Sequence, residues 1–111
     1  MKKEIKDGKV AVLYSPGFGA GWYTWHGEAA LVFDPSVVYM VEQMNECRDK
    51  EDRENWVANI VDYCEEKYDV YTGGAEDLVV EWLDEGTEFM IDEYDGNESL
   101  LVKNEEPWMK A

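Results

Sequence analysis

Three runs in the C-terminal part, Leu78 to Leu83, Glu88 to Tyr94 and Glu98 to Lys103, alternate in polarity with a period of two, and Glu85-Gly86 and Asp95-Gly96 separate them. That period belongs to strands whose two faces meet different surroundings, and an acid followed by glycine is hairpin turn chemistry. The runs predict a three-stranded antiparallel meander. A two-residue turn at Asp95-Gly96 sets Tyr94 opposite Asn97, Ile91 opposite Leu100 and Phe89 opposite Val102. A turn at Glu85-Gly86, with Asp84 opposite Thr87, sets Trp82 opposite Phe89 and Val80 opposite Ile91. Both registers gather Leu78, Val80, Trp82, Phe89, Ile91, Leu100 and Val102 on one face. The other face carries Val79, Glu81, Leu83, Glu88, Met90, Asp92, Ser99, Leu101 and Lys103. There an apolar patch lies among carboxylates, and either another part of the chain or a partner covers it.

Upstream, Lys9 to Tyr14 is a short apolar run ending at Ser-Pro-Gly, which predicts a buried strand. Ala29 to Phe33 is read as a second strand. Asp34-Pro35 then marks a helix start, with Asp34 as cap and Pro35 at the first helical position. Val37, Met40, Val41 and Met44 fall on one helical face. Polar residues from Asn45 to Asp52 end or bend this helix. A second helix beginning near Asp52 turns Trp56, Val57, Ile60, Val61, Tyr63 and Cys64 inward, against Glu54, Asp62, Glu65 and Glu66. Tyr68 to Thr72 is a brief extended piece stopped by Gly73-Gly74, and Pro107-Trp108-Met109 can pin the tail to the body. The expected fold is one α+β domain over residues 1–111, a mostly antiparallel sheet with two helices on one face. Met40, Val41, Met44, Trp56, Ile60 and Cys64 should meet the apolar face of the meander.

Between the first strand and the first helix, Ser15 to Gly27 reads Ser-Pro-Gly-Phe-Gly-Ala-Gly-Trp-Tyr-Thr-Trp-His-Gly. Glycine and proline break regular structure, while Phe18, Trp22, Tyr23 and Trp25 bring too much aromatic surface for a loop in solvent. The segment must fold back and pack. A Rossmann or P-loop site is excluded, because Gly17, Gly19 and Gly21 leave Trp22 where a dinucleotide fingerprint needs its last glycine, and no Lys-Ser/Thr follows. Two uses stay open. The aromatics can be core, or Trp22, Tyr23 and Trp25 can stack a base while loop N–H groups meet a phosphate, with His26 beside them.

The chain of 111 residues has 26 acidic and 10 basic side chains, a formal net charge of -16. The imbalance is local: residues 68 to 111 carry 13 acids and 2 bases. Such a field repels nucleic acid and anionic lipid and steers the protein toward basic partners. Solubility and a salty or acidic setting are competing explanations. The 45% apolar fraction argues against disorder. The charged opening Met1 to Lys9 lacks the apolar run of a signal peptide, and no stretch is long and apolar enough to span a membrane, so a cytoplasmic location is expected. Cys47 and Cys64, on separate helices, read as buried free thiols.

Catalytic and metal readings find little support. His26 is the single histidine and has no nucleophile in a recognisable setting near it. Counting back from Gly96 as the sixth position of a calcium loop puts Ile91 at the first ligand position. No enzyme, cofactor or metal is expected.

Gly-Phe-Gly-Ala-Gly-Trp-Tyr-Thr-Trp at 17 to 25, Phe-Asp-Pro at 33 to 35, Tyr-Thr-Gly-Gly at 71 to 74 and Glu-Tyr-Asp-Gly at 93 to 96 together resemble small acidic proteins encoded by tailed bacteriophages and prophages. The resemblance covers nearly the whole chain and brings no catalytic residue with it. It implies a setting in the host cell, where small phage proteins block defence nucleases, sequester signalling nucleotides or modify transcription.

These readings converge on an acidic, anti-CRISPR-like inhibitor that imitates nucleic acid and binds a basic nuclease or other nucleic-acid-binding host protein. Its surface would be Glu81, Glu88 and Asp92 with Val79, Met90 and Leu101. The alternatives are a nucleotide sponge built on Gly17, Gly19, Gly21, Trp22, Tyr23, Trp25 and His26, and a structural accessory protein. A homodimer also stays open.

Overall fold

The computed structural model describes residues 2–17 and 21–103. Strands β1 (Ile5–Lys6) and β2 (Lys9–Tyr14) are followed by helices α1 (Ala29–Phe33), α2 (Pro35–Glu46) and α3 (Lys50–Tyr68). A 3-10 turn at Ala75–Asp77 leads into β3 (Val79–Asp84), β4 (Phe89–Tyr94) and β5 (Asn97–Val102). All pairings are antiparallel, and the fold is α+β. The expected contact of Pro107-Trp108-Met109 lies outside the described residues.

The strands do not form the expected meander. β3 pairs with β2, Ala11 opposite Trp82 and Leu13 opposite Val80, giving the sheet order β1-β2-β3, while β4 and β5 form a separate two-stranded sheet. Within that sheet the expected register holds, with Phe89 opposite Val102, Ile91 opposite Leu100 and Tyr94 opposite Asn97. The pairs Trp82 with Phe89 and Val80 with Ile91 do not form. Turn chemistry explains the difference. Asp7-Gly8 and Asp95-Gly96 both have positive φ at each residue (54° and 76°, 50° and 82°), the primed turn that matches strand twist and closes a hairpin. At Glu85-Gly86 only the glycine is positive, at 88°, and Thr87 N donates to Asp84 O at 3.0 Å. That pattern is a type II turn, which splays the strands it joins. Aspartate tolerates the left-handed region far better than glutamate does, so Glu85-Gly86 turns a corner between sheets.

Consequently the expected single apolar face is divided. Ala11 and Leu13 of β2 join Leu78, with Val80 and Trp82 of β3 packed beside them, in a core with Val37, Val38, Val41 and Met44 of α2 and Ile60 and Cys64 of α3. Met40 and Trp56 pack on its margin, as the helical spacing predicts. On the opposite side of the sheet, Val12 and Leu83 meet Val32, and Phe33, Phe89, Ile91, Leu100 and Val102 pack around them. The β4–β5 hairpin is thus a lid over the second face, and the chain itself covers Leu83.

Asp34 caps α2, its carboxylate accepting from Ser36 N at 2.8 Å and Val37 N at 3.3 Å, with Pro35 first in the helix. Asp49 caps α3, and Asp69 ends it in the left-handed region. Ala29–Phe33, expected as a strand, is a short helix, because a continuous apolar run has no period to choose between the two. Its consecutive Leu31 and Val32 enter different clusters. The expected extended piece at Tyr68 to Thr72 forms no strand, since α3 runs on through Tyr68. Among the described residues no helix is long and apolar enough to cross a membrane.

Candidate functional site

The glycine-aromatic loop is clamped to the hairpin by one buried carboxylate. Glu98, the second residue of β5, is fully buried, and its Oε1 accepts from Ser15 N at 2.9 Å. Its Oε2 accepts from Tyr23 N and Thr24 N, each at 2.8 Å. The backbone repeats the link, Glu98 N donating to Ser15 O at 2.9 Å and Gly21 N to Gly96 O at 2.6 Å. Ser15 Oγ donates to Gly74 O at 2.8 Å. Loop amides that converge on one point form an anion-binding nest, and here the anion is the protein's own. The amides of Tyr23 and Thr24, the natural candidates for a phosphate, already have their acceptor.

The aromatics of the loop divide. Trp22 is fully buried in the main core, and Tyr23 is half-buried between the two clusters. Trp25 is 53% exposed and stacks on Tyr71, ring centroids 6.1 Å apart. His26 accepts from Glu28 N through Nδ1 at 3.0 Å and stands edge-on to Tyr23. Gly21 has φ 53°, and a Cβ there would run into the Trp25 ring; a Cβ on Gly17 would meet the Asp77 carboxylate. Phe18 and Gly19 lie outside the described residues. Buried Trp22 Nε1, Thr24 Oγ1 and His26 Nε2 have no hydrogen-bond partner among the described residues.

The expected acidic face is also divided, because its strands belong to two sheets. Glu81 and Val79 lie on β3, opposite Val12 and Tyr14. Burial, and then the charge of Glu81, push the Tyr14 phenol above its ordinary range. Met90, Asp92 and Leu101 stay together on the outer face of the β4–β5 hairpin, since Phe89, Ile91, Leu100 and Val102 turn inward. Met90 and Leu101 are directly opposite one another, 58% and 41% exposed, and Asp92 is opposite Ser99. Glu88, just before β4, pairs with Lys103 at 2.9 Å, both largely in solvent. From Asp84 to Glu98 the chain has seven acids and no base, and of these only Glu98 is buried.

The sequence shows Asp34 as a helix cap, and the structure adds a polar network around it. Asp34, 2% exposed, accepts from Tyr63 Oη at 2.8 Å, from Tyr68 Oη and from Lys67 Nζ at 3.2 Å. Burial opposes its charge, but the hydrogen bonds from Tyr68, Tyr63, Lys67 and Ser36 outweigh it and hold the carboxyl below its usual range. The hydrogen bonds that Lys67 Nζ donates to Tyr63 Oη and to the Asp34 carboxylate raise Lys67, and burial with the bond donated to Asp34 raises Tyr68. The available signal was spacing: residues 63, 67 and 68 share one helical face. Cys64 beside them is pushed up to about 12 by burial and by the Asp34 and Glu65 charges, so it remains a thiol at neutral pH. Cys47 is only half-buried, and both cysteines are free. Among the described residues no cluster of three or more His, Cys, Asp or Glu side chains could hold a metal ion.

Comparison of the chain with protein-family models, with curated proteins and with solved structures finds no match.

Proposed function

We propose that the protein is an acidic interaction module that occupies the nucleic-acid-binding surface of a basic host protein, in the manner of a phage-encoded anti-defence inhibitor. The observation that carries this reading is the outer face of the β4–β5 hairpin, where Met90 and Leu101 lie exposed side by side in a segment with seven acids and no base. Charge steers the encounter, and burial of the apolar pair holds the complex. The decisive experiment captures partners from a bacterial lysate, purifies the captured protein and adds nucleic acid. DNA or RNA should displace the acidic protein in competition. A partner that holds nucleic acid and this protein at the same time would sink the mimicry.

A second reading, a nucleotide ligand at the loop, draws on exposed Trp25 stacked with Tyr71 and on Thr24 Oγ1 and His26 Nε2, which have no partner among the described residues. It requires thermal stabilisation by some mono-, di- or cyclic nucleotide in proportion to affinity. The occupied amides of Tyr23 and Thr24 argue for contact through the base rather than the phosphate.

A further inference from the structure

A groove of about 370 Å³ runs along the free edge of β4. Ala29, Val32 and Phe33 of α1 form one wall, Phe89, Met90 and Ile91 of β4 the other, with Tyr23 between them. The backbone pattern says which groups face it. Lys103 N donates to Glu88 O at 2.9 Å in the register of the hairpin, and Glu98 N on β5 points the other way, to Ser15 O. Backbone groups of successive strand residues alternate in direction, so Glu88, Met90 and Asp92 address β5, while Phe89, Ile91 and Glu93 present N–H and C=O to the open edge. Among the described residues that edge has no strand partner.

Resting on the acidic-module reading, we propose that this groove receives an extended basic segment of the partner as an added antiparallel strand beside β4. Strand addition draws affinity from backbone hydrogen bonds and specificity from alternate side chains. Residues of the added strand opposite Phe89 and Ile91 share their inward direction and meet Val32 and Phe33. The residues between them point outward beside Glu88, Met90 and Asp92. The segment that fits alternates apolar and basic residues. A second copy of this chain does not fit, because each brings a net charge of -16.

The test uses the full chain and an end-capped heptapeptide alternating lysine and valine, titrated by calorimetry and by amide NMR. Binding should slow hydrogen exchange at Phe89 and Ile91. N-methylation of the valines removes the N–H groups aimed at β4 and should weaken binding about tenfold or more, the value of one to two net hydrogen bonds. N-methylation of the lysines, whose N–H groups face solvent, should be tolerated. Ala29→Gln, a neutral change at an exposed position that narrows the groove, should also weaken binding about tenfold with melting temperature unchanged. Equal binding of all three peptides with steep salt dependence overturns strand addition and leaves the acidic module standing. Absence of binding by the parent peptide at about 1 mM also overturns it, and the nucleic-acid competition then judges the module alone.

Discussion

The two sides of the central sheet are held by different physics. The helix side is a closed apolar core in which Leu13, Trp22, Val41, Met44, Ile60 and Leu78 are almost wholly removed from water. On the hairpin side Val10, Val12, Val32 and Leu83 reach or approach that state, Phe89, Ile91, Leu100 and Val102 remain half-buried, and Glu98 supplies a polar clamp. A layer attached through few buried contacts opens more readily than the core beneath it. The candidate partner surface sits on that looser layer, so binding and stability are separable in this molecule.

The largest effects should expose this asymmetry directly. Trp22→Ala removes a fully buried indole from the helix-side core and should cost about 3 to 5 kcal/mol. Phe89→Ala on the half-buried hairpin side should cost roughly half as much. Urea unfolding of both variants measures the difference, and equal losses would erase the distinction between the two sides.

Next comes the clamp. Glu98→Ala leaves the N–H groups of Ser15, Tyr23 and Thr24 without an acceptor and should cost about 3 kcal/mol, since bonds to a charged acceptor are the strong ones. Glu98→Gln keeps the shape but turns a donor toward amides, so it should recover only part. Hydrogen exchange locates the damage: those three amides and the hairpin should lose protection while α2 and α3 keep theirs. Uniform loss across the protein would mean that the two sides unfold as one unit.

Asp34 sharpens the comparison from the helix side through pH. Its folded-state pKa is depressed, so its contribution is present above the unfolded value of about 3.9 and is lost as pH falls through the folded one. Lys67 and Tyr68 are raised, so theirs is complete below the unfolded values of about 10 and is lost as pH rises through the folded ones. Asp34→Asn retains a good cap and removes the charge. Urea midpoints of this variant should vary less with pH on both the acid and the alkaline side than those of the parent chain. An unchanged pH profile would remove the network as a source of helix-side stability.

How much of this was legible in the sequence depended on whether the signal was local. The cap at Asp34-Pro35, the face of Val37, Val41 and Met44, the strand Lys9 to Tyr14 and the register across Asp95-Gly96 are all written in neighbouring residues. The pairing of β3 with β2 joins segments some seventy residues apart, and alternation in Val79 to Asp84 is equally consistent with either neighbour. The difference between Asp-Gly and Glu-Gly was present, but its weight appears only in the φ angles. Glu98 is the plainest omission. In sequence it is one acid among many, and only the fold brings three loop amides to it.

The smallest effects on stability should be the most informative about binding. Glu81, Glu88 and Asp92 are exposed, so reversing each to Lys should change stability by no more than about 0.5 kcal/mol. Glu88 and Asp92 belong to the hairpin layer with Met90 and Leu101, whereas Glu81 belongs to the three-stranded sheet. If the hairpin layer is the contact surface, Glu88→Lys with Asp92→Lys should slow association with the captured partner several-fold. The effect should fade as salt shortens the screening length below about 8 Å. Glu81→Lys alone should slow it less, acting only through the overall field. Met90→Asp should leave association nearly unchanged and speed dissociation, because it removes apolar burial at the centre of the patch. Equal slowing by Glu81→Lys and by the hairpin pair, measured by stopped-flow at two salt concentrations, would return the binding role to the net charge of the whole molecule.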